Sequence, residues 1–174
     1  EITTFNKTKI FLMSKNITMA DDNEFNIKGK FKNLSEYNDI IKVNNQNYKV
    51  TSNIDLLENT IINKNENFIF EKKTTINIIN GSTLFIEGQV NFINDQDSFN
   101  EIKSEDGSGS LIFINNDFNL SNLIFKKLSK PRLENYILYG GVNFINSKVN
   151  LNNIYIQDSN NEDLINIINS ISNL

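Results

Sequence analysis

The sequence predicts an all-β fold in which short strands coil into a parallel β-helix, and three observations lead to this interpretation. Apolar runs of three to five β-branched or aromatic residues recur along the chain, and Asn, Gly, Asp or Ser borders most of them. Phrases of sequence repeat at spacings of 21 to 31 residues. Roughly one residue in five is Asn, which tolerates left-handed backbone and therefore suits frequent turns.

The apolar runs define the predicted strands, because helical periodicity is scarce throughout the chain. Several runs alternate, as Val142 and Phe144 do with Asn143 and Ile145. The runs are, in chain order, residues 68–70, 76–79, 84–86, 90–93, 111–114, 142–145 and 154–156.

The repeats favour a solenoid over other all-β folds. Residues 114–125 align with residues 145–156 without a gap, at an offset of 31. Two shorter phrases recur at offsets of 23 and 21, as residues 144–147 with 167–170 and residues 92–95 with 113–116. Spacings near 22 suit a coil that buries its inward residues against the next coil. A β-sandwich is the alternative, because short strands with frequent turns also describe it.

In such a coil, inward apolar side chains stack in columns and Asn residues at a corner form hydrogen-bonded ladders. The core positions that we expect are Ile76, Ile78, Leu84, Ile86, Phe113, Phe125, Leu151 and Ile154. The expected corner series is Asn94, Asn115, Asn146 and Asn169.

The chain divides into an N-terminal part, residues 1–49, and a β-helix, residues 50–174. The first part fits the repeat less well and predicts a cap or small β appendage, since a solenoid needs a cover at its open end. Within it, residues 8–13 and 25–31 have strand character, and residues 34–43 predict a helical turn or a further strand. The chain begins without Met and stops where a new coil would start, so we expect an excised segment of a longer protein.

Composition restricts the chemistry. The chain of 174 residues has 17 Lys and Arg against 21 Asp and Glu, a net charge of −4, and neither Cys nor His. These absences exclude disulfides, thiol nucleophiles, zinc–thiolate sites and imidazole bases. The acidic balance, without a basic run, argues against nucleic-acid binding. No apolar stretch has the length of a transmembrane segment.

Two stretches resemble a known family. The sequence EKKTTINIINGSTLFIEGQV, residues 71–90, resembles the opening coils of right-handed parallel β-helix proteins in the pectate-lyase-like superfamily. The sequence GGVNFINS, residues 140–147, together with residues 149–156 and 161–167, is similar to β-helix segments attached to spore-coat-protein-H-like kinase domains of bacterial surface proteins. The resemblance covers about Val50 to Leu174. It implies an extracellular, periplasmic or cell-surface protein and a non-catalytic scaffold that binds a polysaccharide or a protein.

Catalytic residues are not expected, because lyase and polygalacturonase signatures such as Asn-Thr-Asp and Gly-His-Gly are absent. An enzyme on uronic-acid polymers, a lyase or an epimerase, is the alternative, and it would need Arg132 or a Lys beside two or more carboxylates in one groove. We expect no cofactor. Ca²⁺ is the ion that the acidic residues suggest, but turns account for them as well: Asp95 with Asp97, Asp117, and Asp158 with Glu162 and Asp163.

The lengthened coil, residues 126–139, is the candidate binding site. It contains the only Pro and the only Arg of the chain and two of its five Tyr. The predicted ligand-binding residues are Lys130, Arg132, Tyr136 and Tyr139, because Tyr stacks on sugar rings and cations pair with uronate or phosphate. The alternative is an insertion packed on the coil with both Tyr half-buried. A structural spacer, or an oligomer joined through the open solenoid end, is a further alternative.

Overall fold

The computed structural model describes residues 30–95, 97–133, 137–159 and 163–173. These residues form sixteen strands and a 3₁₀ helix, Leu34–Glu36, arranged as a parallel β-solenoid of about six turns. The strands are β1 Lys32–Asn33, β2 Ile40–Lys42, β3 Asn47–Val50, β4 Ile54–Leu56, β5 Thr60–Ile62, β6 Asn67–Phe70, β7 Thr75–Ile78, β8 Thr83–Ile86, β9 Gln89–Phe92, β10 Asn100–Lys103, β11 Ser110–Ile114, β12 Asp117–Lys126, β13 Val142–Ile145, β14 Lys148–Gln157, β15 Ile165–Ile168 and β16 Ile171–Asn173.

The strands assemble into three sheets that the chain visits in turn. Sheet A has the order β1-β5-β8-β11-β13-β15, sheet B the order β2-β3-β6-β9, and sheet C the order β16-β14-β12-β10-β7-β4. Among the described strands, only β2 and β3 pair antiparallel. The predicted all-β parallel solenoid is therefore confirmed, and each of the seven predicted apolar runs lies on a strand.

The long strands β12 and β14 replace the separate sheet B and sheet C strands of the earlier coils. They pair from Asp117 with Lys148 to Lys126 with Gln157. Each bends at a left-handed Asn, Asn122 with φ 53° or Asn153 with φ 55°. A single bend residue suffices because Asn tolerates this backbone conformation better than other residues with a Cβ.

The repeats at offsets of 31 and 23 are confirmed as strand register, since Ile114 pairs with Ile145 and Ile145 with Ile168. The repeat at offset 21 is wrong. Phe113 pairs with Ile86 and Phe144 in sheet A, whereas Phe92 lies in sheet B. The similar sequences at 92–95 and 113–116 follow strands of different sheets, because the turns at both corners favour the same residue types.

Three of the four expected corner Asn residues form a ladder where strands of sheet A lead into β12, β14 and β16 of sheet C. The Nδ2 of Asn146 donates to Oδ1 of Asn115 at 3.2 Å, and the Nδ2 of Asn169 donates to Oδ1 of Asn146 at 2.8 Å. All three have left-handed backbone, with φ between 47° and 55°. Asn94 does not belong to the series: it follows β9 in sheet B, and its Nδ2 donates to the Ser121 carbonyl at 3.2 Å.

The interior of the solenoid holds the predicted core. Of the eight expected positions, six are buried, while Leu151 and Ile154 are half-buried against the same cluster because they lie on β14, next to the last described strands. Aromatic rings stack from coil to coil, as Phe113 and Phe144 do with centroids 4.7 Å apart and planes 12° apart. This distance equals the spacing of adjacent strands, so in-register aromatic residues stack face to face.

The N-terminal prediction is tested only in part. Residues 34–43 contain both expected forms, the 3₁₀ helix and strand β2. Strand β1 pairs with β5 in sheet A, and β3 pairs with β6 in sheet B. Residues 8–13 and most of 25–31 lie outside the described residues. The division after residue 49 and the right-handed coil stay predictions.

Candidate functional site

The lengthened coil folds back over the outer face of sheet A. In β11, Ile112 and Ile114 alternate with the interior residues Leu111 and Phe113 and form a second buried cluster with Phe85 of β8, Ile145 of β13 and Leu138 of the lengthened coil. Leu133 packs half-buried against the same cluster. An apolar outer face must be covered in water, so this loop is anchored by hydrophobic contacts.

The predicted ligand-binding residues sit beside these anchors. Lys130 and Arg132 are exposed on either side of the buried Pro131, and Tyr139 follows the buried Leu138. The Tyr139 side chain is 59% exposed, so the alternative in which it is half-buried is wrong for this residue. Tyr136 lies outside the described residues. Lys130 and Arg132 have no ion pair with any described residue.

A shallow cleft on the outer face of sheet C is a second surface, which sequence reasoning missed. Its volume is about 220 Å³, and its lining residues are Glu101, Lys103, Ser104, Glu105, Lys126 and Lys127. The two strands that form it are neighbours, and Lys103 of β10 pairs in register with Lys126 of β12. Lys126 and Lys127 are also the first two residues of the lengthened coil, so the chain runs from the cleft into that coil.

Two of the three Lys residues that line the cleft lie beside carboxylates. The Nζ of Lys103 donates to Oε1 of Glu105 at 2.7 Å. This hydrogen bond raises the pKa of Lys103 against the opposing effect of burial, and the charges of Glu105, Glu101 and Asp55 raise it further. The Nζ of Lys126 lies 3.9 Å from Oδ2 of Asp158. Lys103 is therefore held in its protonated form.

An aromatic pair flanks the cleft on sheet C. The rings of Phe99 and Tyr155 meet edge to face with centroids 5.3 Å apart. Tyr155 of β14, Ile124 of β12 and Glu101 of β10 share one register row, so the pair reaches across β12. The Tyr155 side chain is 50% exposed. The repeat at offset 31 predicts that Tyr155 lies beside Ile124, but Phe99 follows from no repeat.

The acidic residues that suggested Ca²⁺ are not gathered in one place. Asp95 pairs with Lys72 at 2.7 Å, and Asp158 lies near Lys126. Glu162 lies outside the described residues. In the described part of the chain, no three His, Cys, Asp or Glu side chains lie close enough together to hold a metal ion. Carboxylates in ion pairs with Lys are explained without a metal.

Asp106 organises the loop between β10 and β11. Burial has the largest single effect on its pKa and raises it, but the hydrogen bonds from the Asn80 N–H, from the hydroxyl and N–H of Ser108 and from the Ser104 hydroxyl together lower the pKa to about 2. The Asn80 N–H donates to Oδ2 at 2.8 Å, which ties this loop to the turn of the preceding coil. The residue therefore acts as an anchor between coils.

Comparison of the chain with protein-family models, with curated proteins and with solved structures found no match. What the structure supports is the parallel β-solenoid itself. Within the described residues, no helix has both the length and the apolar character needed to cross a membrane.

Proposed function

We propose that this chain is a non-catalytic β-helix segment of a secreted or surface-attached bacterial protein, related to the pectate-lyase-like superfamily and to the segments attached to spore-coat-protein-H-like kinase domains. It serves as a rigid scaffold that binds an acidic polysaccharide through its lengthened coil. One observation carries the proposal: buried Pro131 and Leu138 anchor a loop whose Lys130, Arg132 and Tyr139 are exposed.

Arg132 and Tyr139 suit recognition because each follows a buried residue, Pro131 or Leu138, which lowers the entropic cost of fixing it on a ligand. Arg132 has no ion pair with a described residue, so its guanidinium is free to bind a uronate carboxylate with two hydrogen bonds. Tyr139 adds an exposed ring that stacks on a sugar.

The test is binding of the purified chain to an array of acidic and neutral polysaccharides, with and without Ca²⁺. We expect the chain to bind an acidic polymer. This binding should be lost when Arg132, Tyr136 and Tyr139 are changed together to Ala. Lys64→Ala, an exposed cation in the turn between β5 and β6, is the matched control and should bind normally. Absence of binding to every acidic polymer would overturn the proposal and direct attention to a protein partner.

A lyase or epimerase is the second candidate, and a specific feature favours it. Lys103 lies beside two carboxylates in one cleft, Glu101 and Glu105. Against it, a general base must be unprotonated, whereas the pKa of Lys103 is raised. The assay is ultraviolet absorbance of the unsaturated product during incubation with uronic-acid polymers. Product formation that is lost in Lys103→Met would replace the non-catalytic proposal.

A further inference from the structure

We propose that the cleft and aromatic pair on sheet C form a second binding site, and that its ligand is an uncharged polysaccharide. This site differs from the proposed function in its sugar class and in its residues, since it uses only Lys126 and Lys127 of the lengthened coil and none of Lys130, Arg132 and Tyr139. It lies on the outer face of β10, β12 and β14, where the cleft residues and Tyr155 occupy neighbouring register positions.

The charge of the cleft selects against an acidic polymer. Three Lys line it, but two Glu line it with them, and Asp158 lies 3.9 Å from the Lys126 ammonium. A uronate that binds Lys103 would have to break the 2.7 Å hydrogen bond between Lys103 and Glu105 and face the carboxylate that remains. The site therefore offers no net attraction to a negative chain.

The hydroxyl groups of a neutral sugar can form hydrogen bonds with the residues that line the cleft without breaking the ion pairs of the cleft. A sugar hydroxyl both donates and accepts, so it can donate to a carboxylate such as Glu101 and accept from an ammonium such as Lys126. Hydrogen bonds that involve a charged partner are the stronger ones. Alternating acceptors and donors along the cleft thus fit a polymer that carries many hydroxyls and no charge.

The aromatic pair supplies the apolar half of the site. Phe99 supports Tyr155 edge to face, which fixes the exposed Tyr155 ring in place. The face of an aromatic ring carries partial negative charge, and the C–H groups on one side of a pyranose ring carry partial positive charge, so the two surfaces attract. Stacking of this kind needs no charge on the sugar.

The spacing of the solenoid sets the direction of the ligand. Adjacent parallel strands lie about 4.8 Å apart, close to the length that one hexose adds to an extended glycan. Glu101, Ile124 and Tyr155 occupy three successive strands in one row. A glycan that runs along the solenoid axis meets a new strand with each sugar, from the cleft to the aromatic ring.

The experiment is calorimetric binding of the whole chain to soluble neutral glycans, such as glucans, xylans and mannans, and to polygalacturonate and alginate. The variants are Tyr155→Ala, Tyr155→Phe, Glu101→Gln and Arg132→Ala, with Lys64→Ala, an exposed cation in the turn between β5 and β6, as the matched control. We expect a neutral glycan to bind with little dependence on salt, and Tyr155→Ala to bind it about tenfold more weakly. Glu101→Gln should also weaken binding, while Tyr155→Phe and Lys64→Ala should leave it unchanged.

The outcomes separate this site from the lengthened coil. A neutral glycan bound equally by wild type, Tyr155→Ala and Glu101→Gln would overturn the sheet C site. Binding of acidic polymers alone, lost in Arg132→Ala, would overturn this inference and leave the proposed function standing. Neutral binding that depends on Tyr155, without any acidic binding, would support the sheet C site and overturn the role of the loop. Because Tyr155 is half-exposed, Tyr155→Ala is expected to fold, and circular dichroism checks that it does.

Discussion

Gly109 offers the sharpest test of how closely the coils pack. It is buried immediately before β11, against the preceding coil. A Cβ at this position would lie 2.1 Å from the carbonyl oxygen of Ile78 and 2.7 Å from the Ile78 Cβ. Ordinary contact begins at 3.4 Å, so the methyl group of Ala would overlap backbone by about 1.3 Å. We expect Gly109→Ala to force the two coils apart.

The cost follows from what this separation disturbs. Overpacking of a buried position costs about 1 to 3 kcal/mol. The Gly109 carbonyl also accepts from the Ser129 N–H at 2.8 Å, and its own N–H donates to the Ser104 hydroxyl at 2.8 Å. Each such hydrogen bond contributes about 1 kcal/mol. Taking the lower end for overpacking and adding the two hydrogen bonds, the expected loss for Gly109→Ala is about 3 kcal/mol.

Urea unfolding followed by circular dichroism measures this loss. With a slope of about 2 kcal/mol per molar urea, the midpoint should fall by about 1.5 M. Gly107→Ala is the matched control: no atom lies within 4 Å of its Cβ position, and its φ of 70° carries only the left-handed strain. That strain costs about 1 kcal/mol. Equal losses in the two variants, or an unchanged midpoint in Gly109→Ala, would refute the packing argument.

Three further predictions address the core, the Asn ladder and the loop anchor. Phe113→Ala should lose about 3 to 5 kcal/mol, because its buried ring stacks on Phe144, and a urea midpoint close to wild type would contradict this. Asn146→Ala should lose about 2 kcal/mol and Asn146→Gly about half as much, since both remove the ladder bonds and Ala adds strain at a φ of 49°. Equal thermal stability of the two variants would contradict the argument that position 146 requires left-handed backbone. Asp106 has a folded pKa of about 2, below its usual 3.8, so it stabilises the fold above pH about 4 and this contribution disappears as the pH falls to about 2. Melting temperatures over that range should fall less steeply in Asp106→Asn than in wild type, and identical slopes would refute the anchor.

The fold was predictable from sequence where the pattern of apolar strand residues and the spacing of the sequence repeats agree. Residues 114–125 and 145–156 are adjacent copies of one long strand, and a repeat without gaps translates directly into parallel register. The match between residues 92–95 and 113–116 led to a wrong register. The shared Phe-Ile-Asn pattern indicates that a strand ends at a corner, but it does not indicate which corner of the coil. Around β10 the loops differ in length, so the coil from Thr83 to Ser110 has 27 residues. The local sequence of the strands does not indicate this number of residues per coil.

The candidate site was predictable only in part. The unique Arg132 and the added length of its coil marked an exposed loop, and Lys130, Arg132 and Tyr139 are exposed. The sheet C cleft could not be found this way, because Lys103 and Lys126 are 23 residues apart and meet only through strand register.

The sequence by itself determined that the chain forms short strands, turns at Asn and stacks in coils, because strand propensity, corner chemistry and the burial of inward residues are local properties that repeat. Only the tertiary structure decided which strands become neighbours where the coil length changes, and that the outer face of sheet A is apolar and covered by the lengthened coil. It alone brought Phe99 onto Tyr155 and surrounded Gly109 with backbone. The physical reason is that contacts between coils depend on the number of residues in every loop between them, and a loop can change in length without changing the pattern of the strands that it joins.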